Sequence, residues 1–255
     1  MERLDRILAN HGFGTRKEVR RLVRSGAVTV NGKPVLMESD HVDMMNDKIA
    51  VDGEPLSVET HRHLMMNKAA GYVCSTKEGE HETVFDLLAP EDRHKYLGGE
   101  LELVGRLDVD TEGLLILTTD GQLNHELTSP RHHVDKTYLV RLETPVDDES
   151  KRSYEAKLKK GIHIQADGKD GEADCLPAQI SWGDEDGNRT DDTCRLTISE
   201  GKFHQVKRMF AALGNRVEYL KRISIGSLHL DENLAPGEYR DLRAEEIEMM
   251  KNGSR

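Results

Sequence analysis

At 255 residues the chain is long enough for one large domain, or for a medium domain joined to a small one, and two parts are expected. Its start, Met-Glu-Arg-Leu-Asp, is charged, and no apolar run approaches the roughly 18 residues that span a bilayer, so a cytoplasmic chain without a membrane partner is expected. The net charge of −11 argues against a polyanionic partner, yet residues 1–35 hold eight basic against three acidic residues, a local +5 that leaves −16 for the other 220 and suggests a nucleic-acid-facing end on an acidic body.

In chain order, Leu4, Ile7, Leu8 and His11 recur at helical spacing until the break His11-Gly12-Phe13-Gly14, which predicts a short first helix. Thr15 and Glu18 have the spacing of a capping box, in which hydroxyl and carboxylate satisfy free backbone N–H groups at a helix start. The second helix then runs to about Ser25. Val19, Leu22 and Val23 give it an apolar stripe, while Lys17, Arg20, Arg21 and Arg24 stand at i, i+3, i+4 and i+7 on another face. After Gly26, the alternation Val28-Thr29-Val30 runs into Asn31-Gly32, a strong hairpin signal.

Arg3-Leu-Asp-Arg-Ile-Leu, Thr15-Arg-Lys-Glu and Gly26-Ala-Val-Thr-Val-Asn-Gly-Lys-Pro-Val together resemble the small RNA-binding domain of the ribosomal protein S-four type, over about residues 1 to 50. A charge run alone reads as a solvated face. With capping box and hairpin in register beside it, Arg16, Lys17, Arg20, Arg21 and Arg24 become expected RNA contacts. Residues 1–58 are assigned to this domain. Gly53-Glu-Pro55 and the polar stretch Ser57 to His63 have linker composition, with the linker proper at 59–63, and a second domain at 64–250 precedes a frayed tail at 251–255.

In the second domain, strands are predicted at Leu101 to Leu107, Leu114 to Thr118, Thr137 to Leu142, Ala178 to Ser181 and Cys194 to Ser199. Helices are predicted at Val84 to Leu88, near Ser150 to Lys160, and at Phe203 to Leu213. Asp167 to Glu172 and the acidic Gly183 to Asp192 read as surface loops, and the mixture indicates an α+β class. Cys74, Cys175 and Cys194 are odd in number, far apart and not in a C-x-x-C pair, so neither a disulfide framework nor a thiolate zinc site is suggested. His61-x-His63 lacks a nearby carboxylate or thiol and reads as linker rather than as a metal pair.

The segment Gly105-Arg-Leu-Asp108-Val-Asp110-Thr-Glu-Gly113-Leu-Leu-Ile-Leu-Thr-Thr-Asp120-Gly121 joins two strands through a polar turn. A calcium loop would need Glu at its twelfth position, which is Thr119, and helical flanks, which are absent. Asp110 is assigned to hydrogen bonding within the turn. The segment resembles the signature of the ribosomal small-subunit pseudouridine synthase A (RsuA) family, as do Thr128-Ser-Pro-Arg-His-His-Val-Asp-Lys-Thr-Tyr138, Glu200-Gly-Lys-Phe-His-Gln-Val-Lys207-Arg-Met-Phe and Leu234-Ala-Pro-Gly-Glu-Tyr-Arg.

That resemblance implies a larger catalytic domain on a mainly antiparallel mixed sheet, and a cofactor-free, metal-free isomerisation of uridine to pseudouridine with Asp108 as the reacting carboxylate. The reaction breaks the bond from ribose C1′ to base N1 and remakes it to C5, so the base must turn inside a closed pocket. Asp108 either attacks C1′ or assists loss of a ribose proton, and it must be ionised. Burial disfavours that anion, so a fixed cation is needed, which the resemblance supplies as Lys207. It also places the Tyr138 ring against the uracil, and Arg106 as the side chain filling the gap left by a flipped-out nucleotide. His132, Lys136, His204 and Arg208 are expected phosphate contacts. Ser129-Pro-Arg-His-His-x-x-Lys-Thr-Tyr points to small-subunit ribosomal RNA, free or in an assembling particle, as the partner of a monomeric enzyme. The alternatives are a large-subunit or transfer RNA synthase, and a non-catalytic assembly factor.

Overall fold

The computed structural model describes residues 1–43, 46–56, 61–76, 81–93, 100–184 and 186–252. Contacts divide the chain into two compact units, one carrying residues 1–62, the other residues 63–93 and the chain from 102 onward.

In the first unit β1 (Glu2–Arg3) leads into α1 (Leu4–Asn10) and α2 (Arg16–Arg24). The N–H and the hydroxyl of Thr15 both donate to the Glu18 carboxylate at 2.7 Å, so α2 begins where the spacing predicts. Leu4, Ile7 and Leu8 pack with Val19 and Val23 over Val28, all fully buried, which leaves the basic residues of α2 exposed. β2 (Val28–Val30) and β3 (Lys33–Pro34) form the predicted hairpin, with Asn31 and Gly32 at φ of 51° and 75° as its tight turn requires. β4 (His41–Val42) pairs with β1, and β5 (Ile49–Val51) pairs with β2.

The linker reading of Gly53-Glu-Pro55 is corrected here. Asp52 and Gly53, at φ of 51° and 84°, turn the chain back so that β6 (Glu54–Pro55) pairs with β5. Of the expected linker, 59 and 60 lie outside the described residues. His63 is not linker but the buried first residue of the next strand, its Nδ1 2.8 Å from the Thr118 hydroxyl.

The second unit begins with β7 (His63–Lys68), two 3₁₀ turns (Val84–Leu87 and Pro90–Arg93) and β8 (Glu102–Val104). It continues through β9 (Glu112–Thr118), α3 (Gly121–Thr128), β10 (Lys136–Leu142), α4 (Asp148–Leu158), β11 (His163–Ile164) and β12 (Ala173–Asp174). Then come β13 (Gln179–Trp182), β14 (Thr193–Ile198), α5 (Gln205–Ala212), β15 (Val217–Ile225), β16 (Leu228–His229), β17 (Tyr239–Asp241) and α6 (Ala244–Asn252). Hydrogen bonding joins β13-β14-β10-β15-β9-β7-β17 in that order, with β8 beside β9 and β16 beside β15. Every pair in this sheet is antiparallel except β9 with β15, which makes the expected mixed, mainly antiparallel sheet of an α+β protein.

β9 is central, and its run Leu114-Leu-Ile-Leu117 is wholly buried, as a strand covered on both faces must be. A Cβ on Gly113 would lie 2.3 Å from the carbonyl oxygen of Arg222, so only glycine allows β15 this close. Leu123 and Leu127 of α3, Ile225 of β15 and Met250 of α6 join Met65 and Ile116 in one core.

The predicted strand from Leu101 to Leu107 is shorter than expected, because Gly105 at φ of 71° ends β8 and opens the turn. The helix expected from Phe203 starts at Gln205, after a left-handed His204. The tail from 251 is corrected in part: Lys251 and Asn252 belong to α6, and 253–255 lie outside the described residues. The acidic loop after β13 is exposed along Asp186 to Arg189 and tied down beyond them, where the Lys151 ammonium donates to Thr190 O at 2.8 Å and Asp191 at 2.7 Å. Among the described residues no helix is long and apolar enough to cross a membrane.

Candidate active site

The turn from Gly105 to Thr111 carries Asp108 between β8 and β9, at the point where β9 takes β15 as its parallel neighbour. Its backbone is fixed from beneath by Lys68. That lysine is fully buried, and its ammonium donates to the carbonyls of Ala69, Val109 and Thr111 at 3.0, 3.3 and 2.8 Å. Burial lowers its pKa, partly offset by the charges of Cys74 and nearby acids.

The turn forms one wall of a cavity of about 430 Å³, with β10, β15, the segment before α5 and the end of α3 as the others. Asp108 lines it, its side chain one quarter exposed. One carboxylate oxygen lies 3.4 Å from the Lys207 ammonium of α5, the other 3.8 Å from Nε2 of His204. Lys207 is nearer still to Asp110, at 2.5 Å. Asp110 is thus not only a turn residue: against the opposing effect of burial, the hydrogen bond and charge of Lys207 hold it below the usual carboxylate range. The two acids share one ammonium.

Tyr138 is buried on β10 and lines the cavity. Between Thr137 and Tyr138 the register to β15 shifts, so that Tyr138 stands opposite Arg222, a bulge that re-aims the side chains beside it. His204 reaches the cavity because its φ of 47° turns the chain sharply at the N-cap of α5. Its Nδ1 is 2.8 Å from Asp167 and its ring stacks on Phe203 at 3.7 Å, which fixes the ring plane. Lys136 and the exposed Arg106 also line the cavity.

Other expected contacts stand elsewhere. His132 is exposed, with Nδ1 2.9 Å from the carbonyl of Glu126. Arg208 is corrected: it is buried, and its guanidinium donates to the carbonyls of Gln165, Phe203 and Gly171 at 2.6–2.9 Å, so it braces α5 instead of meeting phosphate. Arg16, Lys17, Arg20, Arg21 and Arg24 are exposed in the first unit. Cys175 and Cys194 are free thiols that burial pushes up to about 11 and about 12, well away from nucleophile chemistry. No group of His, Cys, Asp and Glu among the described residues could hold a metal ion.

Sequence reasoning missed Lys68 and Arg222. Each carried a signal: Lys68 closes the run Leu64-Met-Met-Asn-Lys68, which opens on three apolar residues, and Arg222 shares the inward parity of Leu220 and Ser224 on β15.

A family model described as RNA pseudouridylate synthase matches residues 62–212, more than half of the chain. The chain belongs to that family. The enzyme is therefore an RNA pseudouridine synthase, an isomerase, and an S4 domain model matches its residues 2–49. It is 45% identical to an uncharacterized RNA pseudouridine synthase of Bacillus subtilis, over 97% of this chain and 98% of that protein. Its identity to the ribosomal small subunit pseudouridine synthase A of Salmonella typhimurium is 44%, over 96% of this chain and 98% of the relative. A crystal structure of a pseudouridylate synthase superposes with a TM-score of 0.63 at 40% identity, covering 98% of this chain and all of the other. With this membership, the reading as a non-catalytic assembly factor is set aside.

Proposed function

We propose that the enzyme isomerises a uridine of small-subunit ribosomal RNA, in the cytoplasm, with Asp108 as the reacting carboxylate. The observation that carries the assignment is the Asp108 carboxylate on the cavity wall, with the Lys207 ammonium 3.4 Å from one oxygen and His204 3.8 Å from the other. A carboxylate so placed meets C1′ or the neighbouring ribose proton of a nucleotide whose base has entered the cavity, with the Lys207 ammonium beside it as counter-charge. Tyr138 packs the base from β10, and Arg106 stands at the mouth to occupy the stack that the base has left. The exposed basic face of α2 supplies electrostatic RNA affinity. Small-subunit RNA is favoured by Ser129-Pro-Arg-His-His-x-x-Lys-Thr-Tyr and by relatives bearing the small-subunit name.

Mapping pseudouridine in ribosomal and transfer RNA from cells with and without the gene tests the substrate. One site in small-subunit RNA is expected to disappear and to return with the wild-type gene but not with Asp108→Asn. Loss confined to large-subunit or transfer RNA overturns the substrate, and restoration by Asp108→Asn overturns the role of Asp108.

A further inference from the structure

The cavity wall formed by β10 and β15 carries two cations that no carboxylate among the described residues pairs with. Lys136 and Tyr138 lie two apart on β10 and so face the same side, and the bulge sets Arg222 of β15 opposite Tyr138. Arg222 is 2% exposed. Its Nε donates to Leu114 O at 2.8 Å, while Nη2 is buried and has no acceptor among the described residues. Its Nη1 points to Gly105, 4.0 Å from where a Cβ would stand, and thus to the first residue of the Asp108 turn. Lys136 is half-buried and, among the described residues, its ammonium donates only to Val134 O, at 2.7 Å. Burial first, and the charge of Arg222 second, push it down to about 8, against the opposing pull of Asp135. The other lysines here are committed: Lys202 to Glu200, and Lys207 to Asp108 and Asp110.

A desolvated guanidinium with an unused donor is a standing penalty to folding, and a polar group left in that state calls for a ligand that completes it. The reaction generates such a ligand. When the N1–C1′ bond breaks, its electron pair leaves with the base, so uracil departs as an anion whose charge spreads from N1 onto O2 and O4. Water solvates that charge outside; inside the cavity only fixed donors can. The phosphates of the same nucleotide stay with the backbone at the mouth, where Arg106 is exposed, and do not reach a guanidinium buried to this degree.

We propose that Lys136 and Arg222 bind the departing uracil anion through its carbonyl oxygens, holding it in the cavity while it turns to present C5. They exchange no proton in this step. The N1–C1′ pair is carried by the base. A pair from the uracil ring then forms the C5–C1′ bond as the Asp108–C1′ bond breaks, or as the removed ribose proton returns. Finally the C5 proton is lost to solvent, the ring double bond is restored and N1 takes up a proton from solvent. The inference rests on assigning this cavity to the reaction.

The test is single-turnover isomerisation by the full chain on RNA carrying the mapped uridine. Lys136→Met is expected to slow the step about 10²- to 10³-fold, the scale of removing one preorganised donor, with RNA Kd changed less than about threefold. The wild-type rate should fall above about pH 8, as Lys136 loses its proton; the charged groups acting on it are Arg222 from β15 and Asp135 beside it, β14 placing only Ile198 opposite. Lys136→Arg should restore most of the rate and abolish that fall, because guanidinium does not titrate there. With 5-fluorouridine, a more stable base anion, the Lys136→Met deficit should shrink to about tenfold, read as 5-fluorouridine consumed. A normal rate in Lys136→Met overturns the proposal, as does a deficit residing in Kd and its salt dependence, or one equal for both bases. Arg222→Lys, should it fold, is expected to follow Lys136→Met. Turnover by Asp108→Asn strikes instead at the cavity assignment, whereas an inactive Asp108→Asn beside a normal Lys136→Met removes this inference alone.

Discussion

The Lys207 ammonium, 2.5 Å from Asp110 and 3.4 Å from Asp108, stands between two carboxylates on a single turn. Removing it leaves like charges facing one another in a partly desolvated site, whereas removing the Asp110 charge frees the ammonium for Asp108. Lys207→Met is therefore expected to reduce single-turnover rate by about 10²- to 10³-fold, and Asp110→Asn by at most about tenfold. Equal losses in the two variants would show that Asp110 is required in its own right. At this scale Asp108, Tyr138 and Lys207 were legible only through the motifs that carry them. What stayed hidden was the support from outside those motifs: Lys68 beneath the turn, and Arg222, whose place opposite Tyr138 depends on a register shift that no periodicity encodes. Arg208 misled for the opposite reason, since an arginine beside an apolar helical stripe looks solvated until the carbonyls around it are known.

Among elements, those with plain punctuation were legible. Asn31-Gly32, the Thr15/Glu18 pair and the apolar run of β9 each force a local conformation whatever surrounds them. β15 was missed because its inward positions include an arginine, and α3 because Asp120-Gly121 reads as the close of a motif although Asp120 caps the helix, accepting from the N–H groups of Gln122 and Leu123. α6 was missed because Ala-Glu-Glu-Ile-Glu is acidic and polar; tertiary contacts hold it. Glu246 takes both terminal nitrogens of Arg240 at 2.8 Å, together with the N–H and guanidinium of Arg243 at 2.8 Å, and Arg240 also holds Asp231. The Arg240 hydrogen bond, outweighing burial, brings Glu246 down to about 2. Because its folded pKa lies below its unfolded value, the stabilisation is present above about pH 4.5 and is lost as pH falls towards 2. Glu246→Gln is expected to lower stability by about 1–3 kcal/mol at neutral pH and to flatten the acid limb of the stability curve. An acid limb unchanged by the substitution would remove α6 docking from the causes of acid unfolding.

For the whole molecule, the charge asymmetry visible in the sequence acquires a specific geometry. The first unit presents an exposed basic helix on a chain of net charge −11, and the residues of that helix are not equivalent. Arg20 is engaged by Glu38 at 2.6 Å, while Lys17, Arg21 and Arg24 form no salt bridge among the described residues. A phosphate reaching Arg20 must compete with a carboxylate already in place; one reaching Arg21 or Arg24 displaces only solvent and counterions. Each phosphate neutralised contributes about 0.7–0.9 to the slope of log affinity against log salt, so Arg21→Ala with Arg24→Ala should reduce that slope by about 1.4–1.8, and Arg20→Ala alone by clearly less than its share. Single-turnover rate at saturating RNA should change by no more than about twofold, since Asp108, Lys207 and the cavity all lie in the other unit. RNA titrations from low to high salt decide the matter. A double variant with unaltered slope would mean that the face is merely solvated and that affinity arises elsewhere. A slope shared equally among all three arginines would mean that RNA opens the Arg20–Glu38 pair on binding.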